Sequence, residues 1–122
     1  MSARIQRVSF VLAVHDLARS TAYWRDVLGW TLEFDDPGNW SFMFRDRVGV
    51  HLGECKDAIA PAELGDHSYF GYVVMDDVDA YHAEISARGA ECRAPEDKPW
   101  GMREMVVRTI DGHRMMFAQQ LG

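Results

Sequence analysis

The chain reads as an α+β protein built from two successive βαβββ units, over residues 7–53 and 68–120, joined by a connector at 54–67 within a single domain of 122 residues. Three observations predict this. Asp16 and Asp77, each placed to cap a helix, lie 61 positions apart, and Gly29 and Gly89, each placed to stop one, lie 60 apart, as a duplicated unit would leave them. Short apolar runs follow each glycine. Turn sequences separate those runs, "DPGN" at 36–39 in the first unit and "DG" at 111–112 in the second, with Pro37 and Gly38 where a type II turn wants them.

Taken in order, residues 7–14 alternate as a strand, with Val8, Phe10, Leu12 and Val14 on one face and Ser9, Val11 and Ala13 on the other; both faces are expected to be covered. From Asp16 a helix runs to about Leu28, its apolar side formed by Leu17, Thr21, Trp24 and Leu28. Strands are expected at 30–34, 40–45 and 48–53, the last two joined by a tight turn at Asp46. In the second unit, a strand at 69–75 precedes a helix from about Val78 to Arg88. Strands follow near 91–93, at 103–109 and at 114–119. The connector "ECKDAIAPAELGDH" carries turn-forming and charged residues with no sustained period.

Composition narrows the function classes. A hydrophobic fraction of 48% with 26% charged residues is that of a foldable globular chain, and a chain of this length buries roughly two-thirds of its unfolded surface. The formal charge of -6 offers no basic stripe for nucleic acid. No apolar run approaches the ~20 residues that span a bilayer, and the N-terminus lacks an export stretch, so a cytoplasmic protein with no membrane partner is expected. Cys55 and Cys92 have neither metal-motif spacing nor the density of a disulfide scaffold. No Gly-x-Ser-x-Gly turn suggests a hydrolase.

Three stretches together, "VHDLARSTAYWRDVLGW" (14–30), "RDRVGVHLGE" (45–54) and "PWGMREMVVRTIDGHRMMF" (99–117), resemble the vicinal oxygen chelate superfamily. That superfamily holds glyoxalase I, extradiol dioxygenases, fosfomycin-resistance enzymes and bleomycin-resistance proteins. The resemblance implies that the two modules form a curved mixed sheet shaped as a cup, with the helices outside, commonly completed across a homodimer. It shares a fold and not one reaction, so the site residues must decide the function.

Metal-using members place ligands at four positions, which fall here on Ser9, His51, Phe70 and Met116. A divalent ion wants imidazole or carboxylate donors, usually three or more from the protein, and only His51 is one. No metal and no cofactor is therefore expected. The closest pattern is the metal-free bleomycin-resistance-like branch, whose ligand-stacking aromatics match Trp100, in "PWG", and Phe34. Met102 is an added residue in that loop, and "TID" replaces the usual Asp-Pro before the hairpin.

The expected ligand-binding set is Phe34, His51, Phe70, Tyr72, Trp100, Arg103 and Met116, an aromatic and thioether lining suited to flat apolar molecules. Phe42, Phe44, Met105, Met115 and Phe117 are expected to fill the core. Arg103 and Glu104, adjacent on a strand, must point to opposite faces. The leading expectation is a homodimer that binds or sequesters a small aromatic or amphipathic molecule, as drug-resistance proteins do. Two enzymatic readings stand beside it. One is a metal-dependent lyase, isomerase or dioxygenase of the glyoxalase type; the other is cofactor-free acid–base catalysis by His51, with Glu104 or Tyr72.

Overall fold

The computed structural model describes residues 2–65 and 67–122; Met1 and, in the expected connector, Asp66 lie outside the described residues. The chain divides into two compact units, Met1–Ala58 and Ile59–Gly122. In the first, β1 (Val8–Val14) leads to α1 (Leu17–Asp26), then β2 (Thr31–Asp36), β3 (Trp40–Arg45) and β4 (Val48–Glu54). The sheet runs β1-β4-β3-β2, with β1 and β4 parallel and the other pairs antiparallel.

The second unit repeats that path with β5 (Tyr69–Val74), α2 (Val78–Ala87), β8 (Met102–Arg108) and β9 (Arg114–Gln120). One element differs from expectation. The edge strand expected at 91–93 is split into β6 (Glu91–Cys92) and β7 (Glu96–Asp97), which pair with the two ends of β8 on either side of a break containing buried Pro95. Proline has no N–H to give a ladder, so an edge is where a sheet tolerates it. The resulting order is β5-β9-β8-β6, again mixed.

Each helix is tied to its sheet in the same way. Asp16 Oδ1 accepts from Arg19 N at 3.1 Å, while Glu54 Oε2, at the end of β4, accepts from Leu17 N at 3.0 Å. In the second unit Asp77 Oδ1 accepts from Ala80 N and Gln119 Oε1, in β9, accepts from Val78 N, both at 3.0 Å. The orphan N–H groups of each first turn are thus satisfied partly by a local cap and partly by the last strand of the unit. That second bond sets where the helix enters the sheet.

Leu17, Thr21, Trp24 and Leu28 are buried together, as the helical period predicts, with Leu12, Val14, Met43, Val50 and Leu52. Trp24 meets Trp30 edge-on at 4.9 Å. The second core joins Val78, Tyr81 and Ile85 to Met105, Val107, Met115 and Phe117, with Tyr81 and Phe117 rings 4.9 Å apart. Met105, Met115 and Phe117 therefore belong to the core as expected. The expectation that both faces of β1 are covered fails: Leu12 and Val14 are buried, but Val11 is 64% exposed. The single α-helix of each unit covers one face of its own sheet.

A buried polar pair links α1 to β3. The Thr21 hydroxyl donates to Leu17 O at 2.7 Å and lies 2.8 Å from Ser41 Oγ, with Ser41 fully buried. Thr21→Val keeps the shape and leaves the serine hydroxyl without that partner, which costs about 1–3 kcal/mol. Urea unfolding should show the midpoint of Thr21→Val fall by that free energy divided by the slope, with the slope itself unchanged. An unchanged midpoint would mean that the pair contributes nothing.

Candidate functional site

In the first unit the turn at Asp46 and Arg47 pairs Arg45 with Val48. The ladder that follows sets Phe44 opposite Gly49, Phe42 opposite His51 and Trp40 opposite Gly53. All of these lie on the face away from α1. Phe42 and Phe44, expected in the core, are there instead; Met43, between them, is the core residue, 1% exposed. The physical reason is strand alternation: once Met43 points inward, its neighbours cannot.

A bulge completes the group. Between Leu32 and Phe34 the β2 register shifts, so Leu32 pairs with Met43 but Phe34 pairs with Phe42. The extra residue, Glu33, re-aims Phe34 onto the open face. Phe34 and Phe42 centroids are 5.0 Å apart, and the His51 imidazole stacks on Phe42 at 3.8 Å and 18°. Trp40 lies across Gly53, where a Cβ would come within 2.7 Å of its ring. Beside this ladder is a cavity of about 510 Å³, lined by Ser9, Phe42, Phe44, Gly49 and His51.

In the second unit the "PWG" turn closes through Gly101 N donating to Lys98 O at 3.1 Å, with Gly101 at φ 82°. A side chain at that φ is strained, so glycine is required by conformation. Trp100 is 64% exposed, yet its Nε1–H donates to Glu104 Oε2 at 2.8 Å. Tyr72 Oη donates to the same oxygen at 2.6 Å, and Glu104 itself is buried. One carboxylate thus orients an indole and a phenol from two strands and a loop. The adjoining cavity, about 400 Å³, is lined by Tyr69, Trp100, Val106 and Met116 together with the charged Arg93, Glu96, Lys98 and Glu104.

Two expected ligand residues turn out elsewhere. Arg103 lies on the α2 side of β8, where its guanidinium binds Asp79 at 2.9–3.2 Å and Asp97 at 2.9 Å. Of the adjacent pair, Glu104 takes the open face. Phe70 is displaced by a register shift in β5: Tyr69 pairs with Arg114 and Gly71 with Met115. Tyr69 therefore shares the open face with Met116 and Tyr72, and Phe70 stands edge-on to His113 at 6.0 Å.

The same placements test the fit to a metal. Ser9 is a neutral hydroxyl, Met116 a thioether and Phe70 no donor at all, leaving His51, whose ring is stacked on Phe42. Among the described residues no three His, Cys, Asp or Glu side chains converge as a metal centre requires. The donor set does not fit a divalent ion. Glu54 is engaged at the start of α1, and His15 Nε2 lies 2.7 Å from Ala58 O.

The family model of the Glyoxalase/Bleomycin resistance protein/Dioxygenase superfamily matches residues 4–117. The chain belongs to this superfamily. No curated protein matches the sequence. Among solved structures, the superfamily fold is shared with the bleomycin-binding protein of bleomycin-producing Streptomyces verticillus, solved with copper(II)-bleomycin, at 20% identity over 99% of both chains and a TM-score of 0.75. TnmS3, an antibiotic binding protein from Streptomyces sp. CB03234, matches at 23% identity over 98% of this chain and 99% of that one, with a TM-score of 0.78. The bleomycin resistance determinant encoded on transposon Tn5 matches at 19% identity over 95% and 98%, also with a TM-score of 0.78. No helix among the described residues is long and apolar enough to cross a membrane.

The environment of Glu104 leaves a measurable mark on Tyr72. Desolvation of the phenol, then the hydrogen bond to Glu104 and its negative charge, push the Tyr72 pKa from 10.0 up to about 12. Because the folded value is the higher one, its contribution to stability is complete below pH 10 and is lost as pH rises through about 12. Glu104→Gln removes the charge and keeps the desolvation. Tyrosinate absorbance, assigned with Tyr72→Phe, should show this phenol titrating lower than in the parent but still above 10.0. Identical curves for the parent and Glu104→Gln would show that the carboxylate does not act on Tyr72.

Proposed function

We propose that this chain is a metal-independent, homodimeric cytoplasmic protein that binds and sequesters a flat aromatic or amphipathic small molecule, in the manner of drug-resistance proteins. The observation that carries the reading is Trp100. Its ring is held by a hydrogen bond to a buried carboxylate while most of its surface stays open to solvent. An exposed indole fixed in one orientation has its ordering entropy reduced before a ligand arrives, which favours stacking.

The first unit supports the same chemistry. Phe34, Phe42 and His51 form a continuous aromatic ladder on an open face, and Tyr72 and Met116 supply further apolar surface in the second. His51 then serves as a stacking surface, and its ring plane is already committed to Phe42. The similar structures include proteins described as bleomycin-binding, antibiotic-binding and bleomycin-resistance proteins, which favours capture over turnover as the role of this arrangement.

Homodimerisation is supported by apolar side chains left exposed among the described residues: Val11 is 64% exposed and Val74 59%. Such surface on an open sheet face marks an interaction site. Sedimentation equilibrium should give twice the 13.9 kDa chain mass, and Val11→Lys should shift the distribution toward the single chain. A parent protein that sediments as one chain at all concentrations would overturn the dimer.

The binding reading is tested by calorimetry with a panel of planar aromatic compounds, bleomycin among them. Trp100→Ala should weaken whichever compounds bind by about tenfold, since stacking contributes about 0.5–1.5 kcal/mol beyond the buried area. Far-ultraviolet circular dichroism of Trp100→Ala should match the parent, so that lost binding is not lost folding. Exhaustive chelation of the parent protein should leave every affinity unchanged. A compound whose binding depends on returned metal, or that ignores Trp100→Ala, would count against the proposal.

A further inference from the structure

Although the protein is acidic overall, three arginines gather on the open face of the second unit. Tyr69, Arg114, Arg108 and Glu91 stand in one cross-strand row over β5, β9, β8 and β6. Arg108 and Arg114 are direct partners in an antiparallel pair, a placement in which like charges repel. Arg93, the first residue after β6, lines the same cavity of about 450 Å³.

Within the row, Arg108 and Arg114 each have a partner. Glu91 Oε2 lies 3.1 Å from Arg108 Nε, but its side chain is 74% exposed, so the pair is well screened by water. Arg114 donates to Gly65 O and sits 5.5 Å from the Tyr69 ring centroid. Arg93 makes no ion pair among the described residues. Three guanidinium groups thus line one cavity able to hold a small group.

We propose that Arg93, Arg108 and Arg114 form an oxyanion subsite that takes a carboxylate or phosphate carried by the ligand. This cavity shares Tyr69, Arg93 and Val106 with the one beneath Trp100. A ligand lying along that shared wall places its ring system on Trp100 and its anionic group among the arginines. An oxyanion there offsets the repulsion between Arg108 and Arg114 and offers each fork two acceptors. The ligand class is therefore an aromatic acid, or an amphoteric aromatic whose donor groups meet Glu104. The inference rests on the binding role proposed above.

Calorimetry with naphthoate and its neutral analogue naphthamide isolates the charge, and naphthyl phosphate distinguishes a phosphate from a carboxylate. The parent protein should bind an anionic probe about tenfold more tightly than naphthamide, as one charge-assisted hydrogen bond would give. Arg93→Gln and Arg114→Gln should each shrink that preference, and added salt should shrink it too. Equal binding of naphthoate, naphthyl phosphate and naphthamide would overturn the subsite while leaving the aromatic site standing. A preference that survives both arginine variants but vanishes in Lys98→Gln would place the anion at the other end and also overturn it. Inorganic phosphate, followed through the side-chain N–H resonances of the three arginines, reports without any aromatic ligand: shifts confined to them support the subsite even if no naphthyl probe binds.

Discussion

The structure depends on one constraint of the βαβββ unit: its sheet, of four strands in the first unit and five in the second, offers two faces, and the unit owns a single ten-residue helix to cover them. The covered face is settled by hydrophobic burial, with Trp24, Met43 and Leu52 on one core and Ile85, Met105 and Phe117 on the other. The remaining face has no helix of its own unit to cover it. Residues there must tolerate water and still offer surface to bind. Aromatics with a polar edge, glycines that leave room for a flat ring, and anchored charges meet that demand, and those are the residues found.

Fixing such residues requires more than strand alternation. Phe34 reaches the aromatic ladder because Glu33 is a bulge, and Tyr69 reaches the arginine row because β5 shifts register at Phe70. Each irregularity re-aims one aromatic. Glycine does the complementary job at Gly53, where the absent Cβ lets Trp40 lie flat against the strand. In the Trp100 loop the same end is reached electrostatically: a buried carboxylate would be costly alone, and it is accommodated because two donors converge on it. The three devices share a consequence, which is orientation imposed before any ligand is present.

These mechanisms explain what could be read from the sequence. Helix caps at Asp16 and Asp77, stops at Gly29 and Gly89 and the "DPGN" turn are local signals, and the repeat they mark is the observed one. The places of Trp40 and Phe42 were legible too. The tight turn at Asp46 sets the hairpin register, and counting back from it brings Phe42 opposite His51 and Trp40 opposite Gly53. Assigning Phe42 and Phe44 to the core overlooked that count. The bulges were not legible, because a period of two has no way to announce an extra residue whose position depends on the partner strand. Phe70 was misplaced for that reason. Arg103 was ambiguous from sequence because alternation alone says that it and Glu104 differ, and only the burial of Met105 settles which faces α2.

Charge shows why global composition is a poor guide to a local site. A formal charge of -6 favours a cation at long range, but between exposed groups that field is screened within about 8–10 Å at ordinary ionic strength. Contact distances are governed by what lines the wall. In the second unit Glu91, Arg108 and Arg114 line one cavity, Glu96, Lys98 and Glu104 line the other, and Tyr69, Arg93 and Val106 line both. A simple cation would meet guanidinium groups at the first cavity, and the second carries groups of both signs. A molecule with an aromatic body, an anionic group and a separate donor satisfies both at once, and the distribution of charge along the sheet selects for that pattern more strongly than the net charge selects for sign.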